Sequence, residues 1–301
     1  MKVGLASTAQ LMEIDRLLRN SRYLYMDLGS EDLADLVGQG TAFTAQEGGQ
    51  LWGFLALQVE VRPATLPVSL ANRANLRGIG LARGHWPSRA LPPLLAAAFE
   101  HLRSLPSPHQ IVAYGSERWL NSALQGAGFQ VADRIQFLRL DSLPQRSVRG
   151  QAAADAAPTG STVAQSVQYR PAHTGDVDAL LQLDGAAFEP LWRFGRQRLI
   201  ELLMLCRVQV AELDGALAGY TALALSSPAE AHLARLAVHP AVQNRGIGRA
   251  LLQHAVDCAR SQGRRSLLLN AQTTNARALH LYRAVGFRPI GRVIPVLAKA
   301  T

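Results

Sequence analysis

The stretch that most limits what this chain can fold into is residues 230–250, EAHLARLAVHPAVQNRGIGRA. Residues 231–238 are mostly apolar, as a buried strand should be. His239-Pro240 ends the run, because proline has no N–H to give a ladder. Beyond it, Ala250, Leu251, Leu252, Ala255 and Val256 recur at helical spacing. Between strand and helix lies Gln243-Asn244-Arg245-Gly246-Ile247-Gly248, with two glycines where the chain enters the helix. Glycine there lets a ligand approach the backbone closely. The first helical turn adds unpaired N–H groups at the positive end of the helix dipole. Strand, glycine loop and helix start together predict a pyrophosphate site. The GK[ST] ending of a Walker A loop is missing, as are the third glycine and downstream acid of a dinucleotide fingerprint. An ordinary turn at Gly246 and Gly248 is the plainer alternative.

A second pattern follows at residues 267–287, LLLNAQTTNARALHLYRAVGF. With both in place, the sequence resembles the GNAT N-acetyltransferase superfamily, whose acetyl-CoA motif reads Gln/Arg-x-x-Gly-x-Gly/Ala. Gln243, Gly246 and Gly248 match that motif; Asn275, Tyr282 and Gly286-Phe287 match the second signature. The resemblance implies an α/β (α+β) fold, with a mixed, mostly antiparallel central sheet flanked by helices. It also implies acetyl-CoA as cosubstrate and no metal. Backbone groups of Leu236, Ala237 and Val238 would pair with the pantetheine arm. The amides of Gln243, Asn244, Arg245, Gly246, Ile247, Gly248 and Arg249 would hold the pyrophosphate. Arg245 and Arg249 add charge there, unless Arg249 is a solvated helix residue. Tyr282 stands where the family often has its general acid; the plain reading is a half-buried aromatic. Asn275 is expected to cap the following helix and to bond the pantetheine arm.

The resemblance leaves the base open. In the histone-acetyltransferase branch a glutamate lies thirteen residues before the loop arginine, and that count from Arg245 reaches His232. Glu230, two residues earlier, shares its strand face. Either residue, or both as a relay, is a candidate base; both are equally readable as surface residues at a strand start. In the ribosomal-protein branch the base is a glutamate five residues before the motif asparagine. Here that position is Asn270, which cannot take a proton. The acceptor is expected to meet the loop at 187–194, where Phe188, Trp192 and Phe194 either line the cleft or pack the core and Glu189 can meet an amine.

The first half carries a fainter copy of the same plan. Gly49-Gln-Leu-Trp-Gly-Phe54 and Gly215-Ala-Leu-Ala-Gly-Tyr220 share one pattern, Arg89-Ala-Leu91 parallels Arg249-Ala-Leu251, and Gly128-Phe129 parallels Gly286-Phe287. Landmarks in order at nearly constant offset predict an internal repeat. The chain is therefore expected to be two tandem GNAT folds: a degenerate domain at 1–141, a linker at 142–166 rich in Ala, Gly, Pro and Ser, and an acetyl-CoA-binding domain at 167–301. In length and in having one degenerate half it is similar to the mycothiol-synthase type. Aligning Arg89 with Arg249 puts Trp86 and Ser88 where Gly246 and Gly248 stand, which predicts a first domain without cofactor.

Composition narrows the rest. Hydrophobic residues reach 48% and charged ones only 18%, so the chain is not a disordered one. The net charge is +9, but residues 1–141 contribute +1 and residues 167–301 contribute +7, so the excess sits with the phosphate-loop motif. Nearly all of it is arginine, which suits phosphate; biased codon usage is the competing cause. No stacking or helix-turn-helix motif turns that charge into a nucleic-acid site. The two cysteines lack metal-site spacing, and no apolar run is long enough to span a membrane. The expectation is a cytoplasmic N-acetyltransferase, monomer or homodimer, moving acetyl from acetyl-CoA to a small-molecule amine or to a protein N-terminus or lysine. A non-catalytic acetyl-CoA sensor or interaction module is the alternative.

Overall fold

The computed structural model describes residues 1–27, 33–60, 71–141, 143 and 167–301. Apart from Leu143, the linker predicted at 142–166 lies outside the described residues. The chain divides into two compact units, Met1–Arg134 with Ile294–Thr301, and Ile135–Val293. Ile135–Leu140 thus group with the second unit and Ile294–Thr301 with the first.

The first unit runs β1 (Lys2–Leu5), α1 (Leu11–Asn20), β2 (Tyr23–Met26), α2 (Leu33–Gly38), β3 (Ala42–Glu47), β4 (Gln50–Glu60), β5 (Asn72–Leu81), α3 (Pro87–Ser104), β6 (His109–Tyr114), α4 (Arg118–Gly126) and the start of β7 (Gln130–Leu140). The second takes the rest of β7, then β8 (Val167–Pro171), α5 (Val177–Ala187), α6 (Arg196–Leu205), β9 (Cys206–Leu213), β10 (Ala216–Ala224), β11 (Glu230–Val238), α7 (Ile247–Ser261), β12 (Ser266–Gln272), α8 (Ala276–Val285) and the start of β13 (Arg288–Ala300).

Both sheets have the same order. In the first unit it is β1-β3-β4-β5-β6, closed by the end of β13, where Val296 pairs with Tyr114 and Ala300 with Gln110. In the second it is β8-β9-β10-β11-β12, closed by the end of β7, where Leu267 pairs with Leu140 and Gln272 with Ile135. Among the described residues, every pairing within these two sheets is antiparallel except β5–β6 and β11–β12. This is the mixed, mostly antiparallel α/β architecture expected, twice over. The last strand of each sheet comes from the other half of the sequence.

The duplicated Gly-x-Leu-x-Gly-aromatic pattern now has a physical cause. Gly48 and Gly49 (φ 57° and 81°) and Asp214 and Gly215 (φ 52° and 80°) make the two hairpin turns. A tight two-residue turn of this kind needs positive φ at both central positions. The second glycine of each motif lies under a helix. A Cβ on Gly219 would stand 2.8 Å from the Ala237 carbonyl and 2.9 Å from Leu251; one on Gly53 would stand 3.0 Å from Leu94. The aromatics, Phe54 and Tyr220, are fully buried. Because a backbone oxygen cannot retreat, Gly219→Ala is expected to cost about 1–3 kcal/mol of stability, read as a lowered thermal transition.

The helices dock by the apolar stripes legible in the sequence. Leu251, Leu252, Ala255, Val256 and Ala259 of α7 are all buried, and Leu252, Ala255 and Val256 meet Ala231 and Leu233 of β11 in one core cluster. Among the described residues no helix is long and apolar enough to cross a membrane.

Candidate active site

The two parallel strands of the second unit part company halfway. β11 and β12 pair only from Glu230–Ser266 to Leu233–Leu269, although β11 continues to Val238. Its other edge stays on β10, where a register shift leaves Ala234 as an extra residue between the pairs Arg235–Ala222 and Leu233–Leu223. Such a bulge kinks a strand and re-aims its side chains. Ahead of it, Ala231 and Leu233 face α7; beyond it, Leu236 and Val238 do, with Ile247 and Leu251. Among the described residues, the backbone from Ala234 to Val238 thus has one edge without a strand partner.

A cavity of about 90 Å³ opens in the split. It is lined by Leu233, Ala234, Arg235 and Leu236 from β11, Asn270, Ala271 and Gln272 from β12, Asn275, Ala278 and Tyr282 from α8, and Phe188, Trp192 and Ile135. Asn275 caps α8 by accepting from the Ala278 amide at 3.0 Å, and reaches the Gln272 side chain at 3.3 Å. Tyr282 is 7% exposed, and burial pushes its phenol up to about 12 against the opposing charge of Arg235. It is a neutral proton donor at any ordinary pH.

The split leads to the glycine loop. Gly246 caps α7 with φ 83°, a left-handed conformation, and among the described residues no side-chain cap hydrogen bond is made there. Asn244 is left-handed as well, φ 65°. The Gln243 side chain donates to the Val238 carbonyl at 3.0 Å and accepts from Arg277. It therefore staples the loop to the strand end and, through Arg277, to α8. Gly248 lies 3.4 Å from Val238 and 3.6 Å from Leu281, measured from where its Cβ would be. Arg245 and Arg249 are exposed. A hydrogen-bonding strand edge that runs into bare helix-start amides fits an extended amide chain ending in a diphosphate.

His232 and Glu230 are not among the cavity's lining residues. They sit on the paired part of β11, opposite Leu268 and Ser266. Burial lowers the His232 pKa below its usual 6.5, against the charge of Glu230, so the ring is neutral at pH 7. Glu230 accepts from the Ser266 hydroxyl at 3.2 Å. Of the acceptor-loop residues, Phe188 and Trp192 line the cavity, while Glu189 is exposed.

One cluster escaped the sequence reading. The strand read as simply apolar carries Arg235, 8% exposed, and the apolar helix α5 carries Asp184, 0% exposed. The guanidinium donates twice to that carboxylate, both at 2.8 Å. A charge inside an apolar run is itself the signal, since a buried ion demands a partner.

The first unit has the same split and fills it. β5 and β6 pair only from Asn72–His109 to Asn75–Val112. The free stretch of β5 then receives β2: Tyr23, Leu24, Tyr25 and Met26 pair with Leu81, Gly80, Ile79 and Gly78. Four residues, 82–85, join β5 to the cap of α3, against seven, 239–245, between β11 and the cap of α7. That cap is Trp86 with φ −77°, not a left-handed glycine. Nothing in the sequence reading foresaw β2; the alternating run Tyr-Leu-Tyr-Met was its only trace.

Residues 177–287 match the model of the Acetyltransferase (GNAT) family. The chain is 40% identical to N-alpha-acetyltransferase RimI of Mycobacterium tuberculosis over 84 residues, 27% of this chain and 51% of that protein. It is 40% identical to the streptothricin acetyltransferase of Streptomyces lavendulae over 75 residues, 25% of this chain and 40% of that one. It thus spans about half or less of these curated relatives. Among solved structures, a tandem GNAT protein from the clavulanic acid biosynthesis pathway superposes with TM-score 0.62 at 17% identity, covering 99% of this chain and 98% of the other. A GCN5-related N-acetyltransferase from Kribbella flavida gives 0.66 at 15%, covering 99% and 70%. Residues 177–287 thus match the GNAT family, and the whole chain shares the fold of a tandem GNAT protein.

Proposed function

We propose that the second unit is an acetyl-CoA-dependent N-acetyltransferase site and that the first unit no longer takes the cofactor. One observation carries this reading. The β11 edge left open in the second unit is occupied in the first by the chain's own β2. The first unit supplies its own added strand; the second leaves room for one and ends that room on the glycine-capped helix.

Acetyl-CoA, when bound, supplies an activated acetyl thioester. The backbone of Leu236, Ala237 and Val238 is suited to hold an amide-bearing arm as an extra strand. The amides from Gly246 to Arg249 are suited to the diphosphate, with Arg245 and Arg249 adding charge and Gln243 bracing the loop. Asn275 offers its amide at the cavity wall. Tyr282 keeps its proton at Oη and is the cavity-lining hydroxyl that could give it to a departing sulfur. The acceptor, a primary amine of a small molecule or of a protein, approaches past Phe188 and Trp192. The neutral ring of His232, outside the cavity lining, is suited to accept a proton through an intervening water.

Titration of the full chain with acetyl-CoA in a calorimeter is expected to give one equivalent bound per chain. Two equivalents would show that β2 yields its place and would remove the argument from the filled split.

A further inference from the structure

We infer that Arg235 is a positioning residue that fixes the acceptor-side wall of the cleft to the strand that holds the cofactor. This rests on the N-acetyltransferase reading above and concerns the same site. The guanidinium is held on both faces and along one edge. Its centre lies 3.4 Å from the centroid of the Phe188 ring and 3.7 Å from that of Phe194. One edge forks onto Asp184 and also donates to the Trp192 carbonyl at 2.7 Å. Phe188, Trp192 and Phe194 belong to the single loop between α5 and α6, and two of them line the cavity.

The carboxylate is equally committed. Asp184 accepts from Arg235 twice, from the Tyr220 hydroxyl at 2.6 Å and from the Phe194 amide at 2.8 Å. That is about the four lone-pair positions a carboxylate has. The loop closes on itself as well, with Arg193 donating to the Phe188 carbonyl at 2.8 Å. The bulge at Ala234 is what turns Arg235 toward α5 and not toward α7. The next residues along the strand are the open edge at Leu236 to Val238. A planar cation stacked between two rings therefore sets the distance from that edge to the aromatic wall. A loop held this way is preset before ligand arrives.

Lysine keeps the charge but lacks the flat fork and stacks poorly, so Arg235→Lys isolates the positioning role. Full-length wild type and variant are compared on acetyl-CoA binding by calorimetry and on CoA release. Two peptide probes serve: one begins with alanine and has no lysine, the other is Nα-acetylated with a single lysine. For the peptide that the wild type turns over, Arg235→Lys is expected to raise KM about tenfold or more, with acetyl-CoA affinity within about twofold. An unchanged KM overturns the inference. So does a KM and an acetyl-CoA affinity that worsen by the same factor, which would mean general loosening. A wild type that binds acetyl-CoA but releases no CoA with either peptide or with a panel of small primary amines defeats the enzymatic reading instead. The wall is then read by trypsin: faster cutting after Arg193 in Arg235→Lys supports the positioning role, and equal cutting overturns it.

Discussion

Gly246→Val is expected to weaken acetyl-CoA binding by about a hundredfold, the loss of roughly two charge-assisted amide contacts. Gly246 has φ 83° and an added Cβ would meet no protein atom within 4 Å. The effect is therefore not a packing clash. It has two parts: a β-branched residue resists the left-handed conformation by about 1–2 kcal/mol, and its methyls would screen the first-turn amides of α7. Gly263, just past the other end of the same helix, provides the control. It is also left-handed, φ 71°, with nothing within 4 Å of its Cβ position. Gly263→Val should lower thermal stability by a similar amount and leave acetyl-CoA binding intact. Calorimetry on both variants decides the matter; equal binding by the two would detach the helix entrance from the cofactor.

Tyr282→Phe is expected to lower kcat about a hundredfold, the lower range for loss of a general acid, with acetyl-CoA affinity little changed. The substitution removes only the hydroxyl. The ring keeps its place in the core cluster beside Phe287, 5.9 Å away between centroids. With its phenol pushed up to about 12, Tyr282 does not ionise in the working range, so the wild-type profile should show no alkaline loss attributable to this group below about pH 11. A Tyr282→Phe enzyme with wild-type kcat would mean that the thiolate is protonated from elsewhere, and the cavity would then need another donor.

The sequence disclosed what local periodicity and glycine chemistry encode. The strand at 230–238, the helix entered through Gly246, the cap at Asn275 and the duplicated Gly-x-Leu-x-Gly-aromatic pattern all followed from residue patterns a few positions long. What it concealed depends on long-range pairing. Arg235 and Asp184 are 51 positions apart, and each alone looks like a stray charge in an apolar run. Tyr23–Met26 looks like a short piece between two helices, and only its partner in β5 makes it a plug. The ends of β7 and β13 read as the last strands of their own halves, because a strand's composition does not name the sheet it joins.

The crossed strand ends bear on the order in which the protein takes shape on the ribosome. A tandem protein ordinarily finishes its leading domain while the trailing one is still being made. Here the strand that closes the second sheet, Ile135–Leu140, is synthesised before the rest of that sheet, whereas Val296–Ala300, which close the first, are synthesised after the other strands of the second. The amino-terminal lobe must wait, one strand short, until its sequel has been translated. Neither lobe can be excised with all of its strands by cutting the chain once.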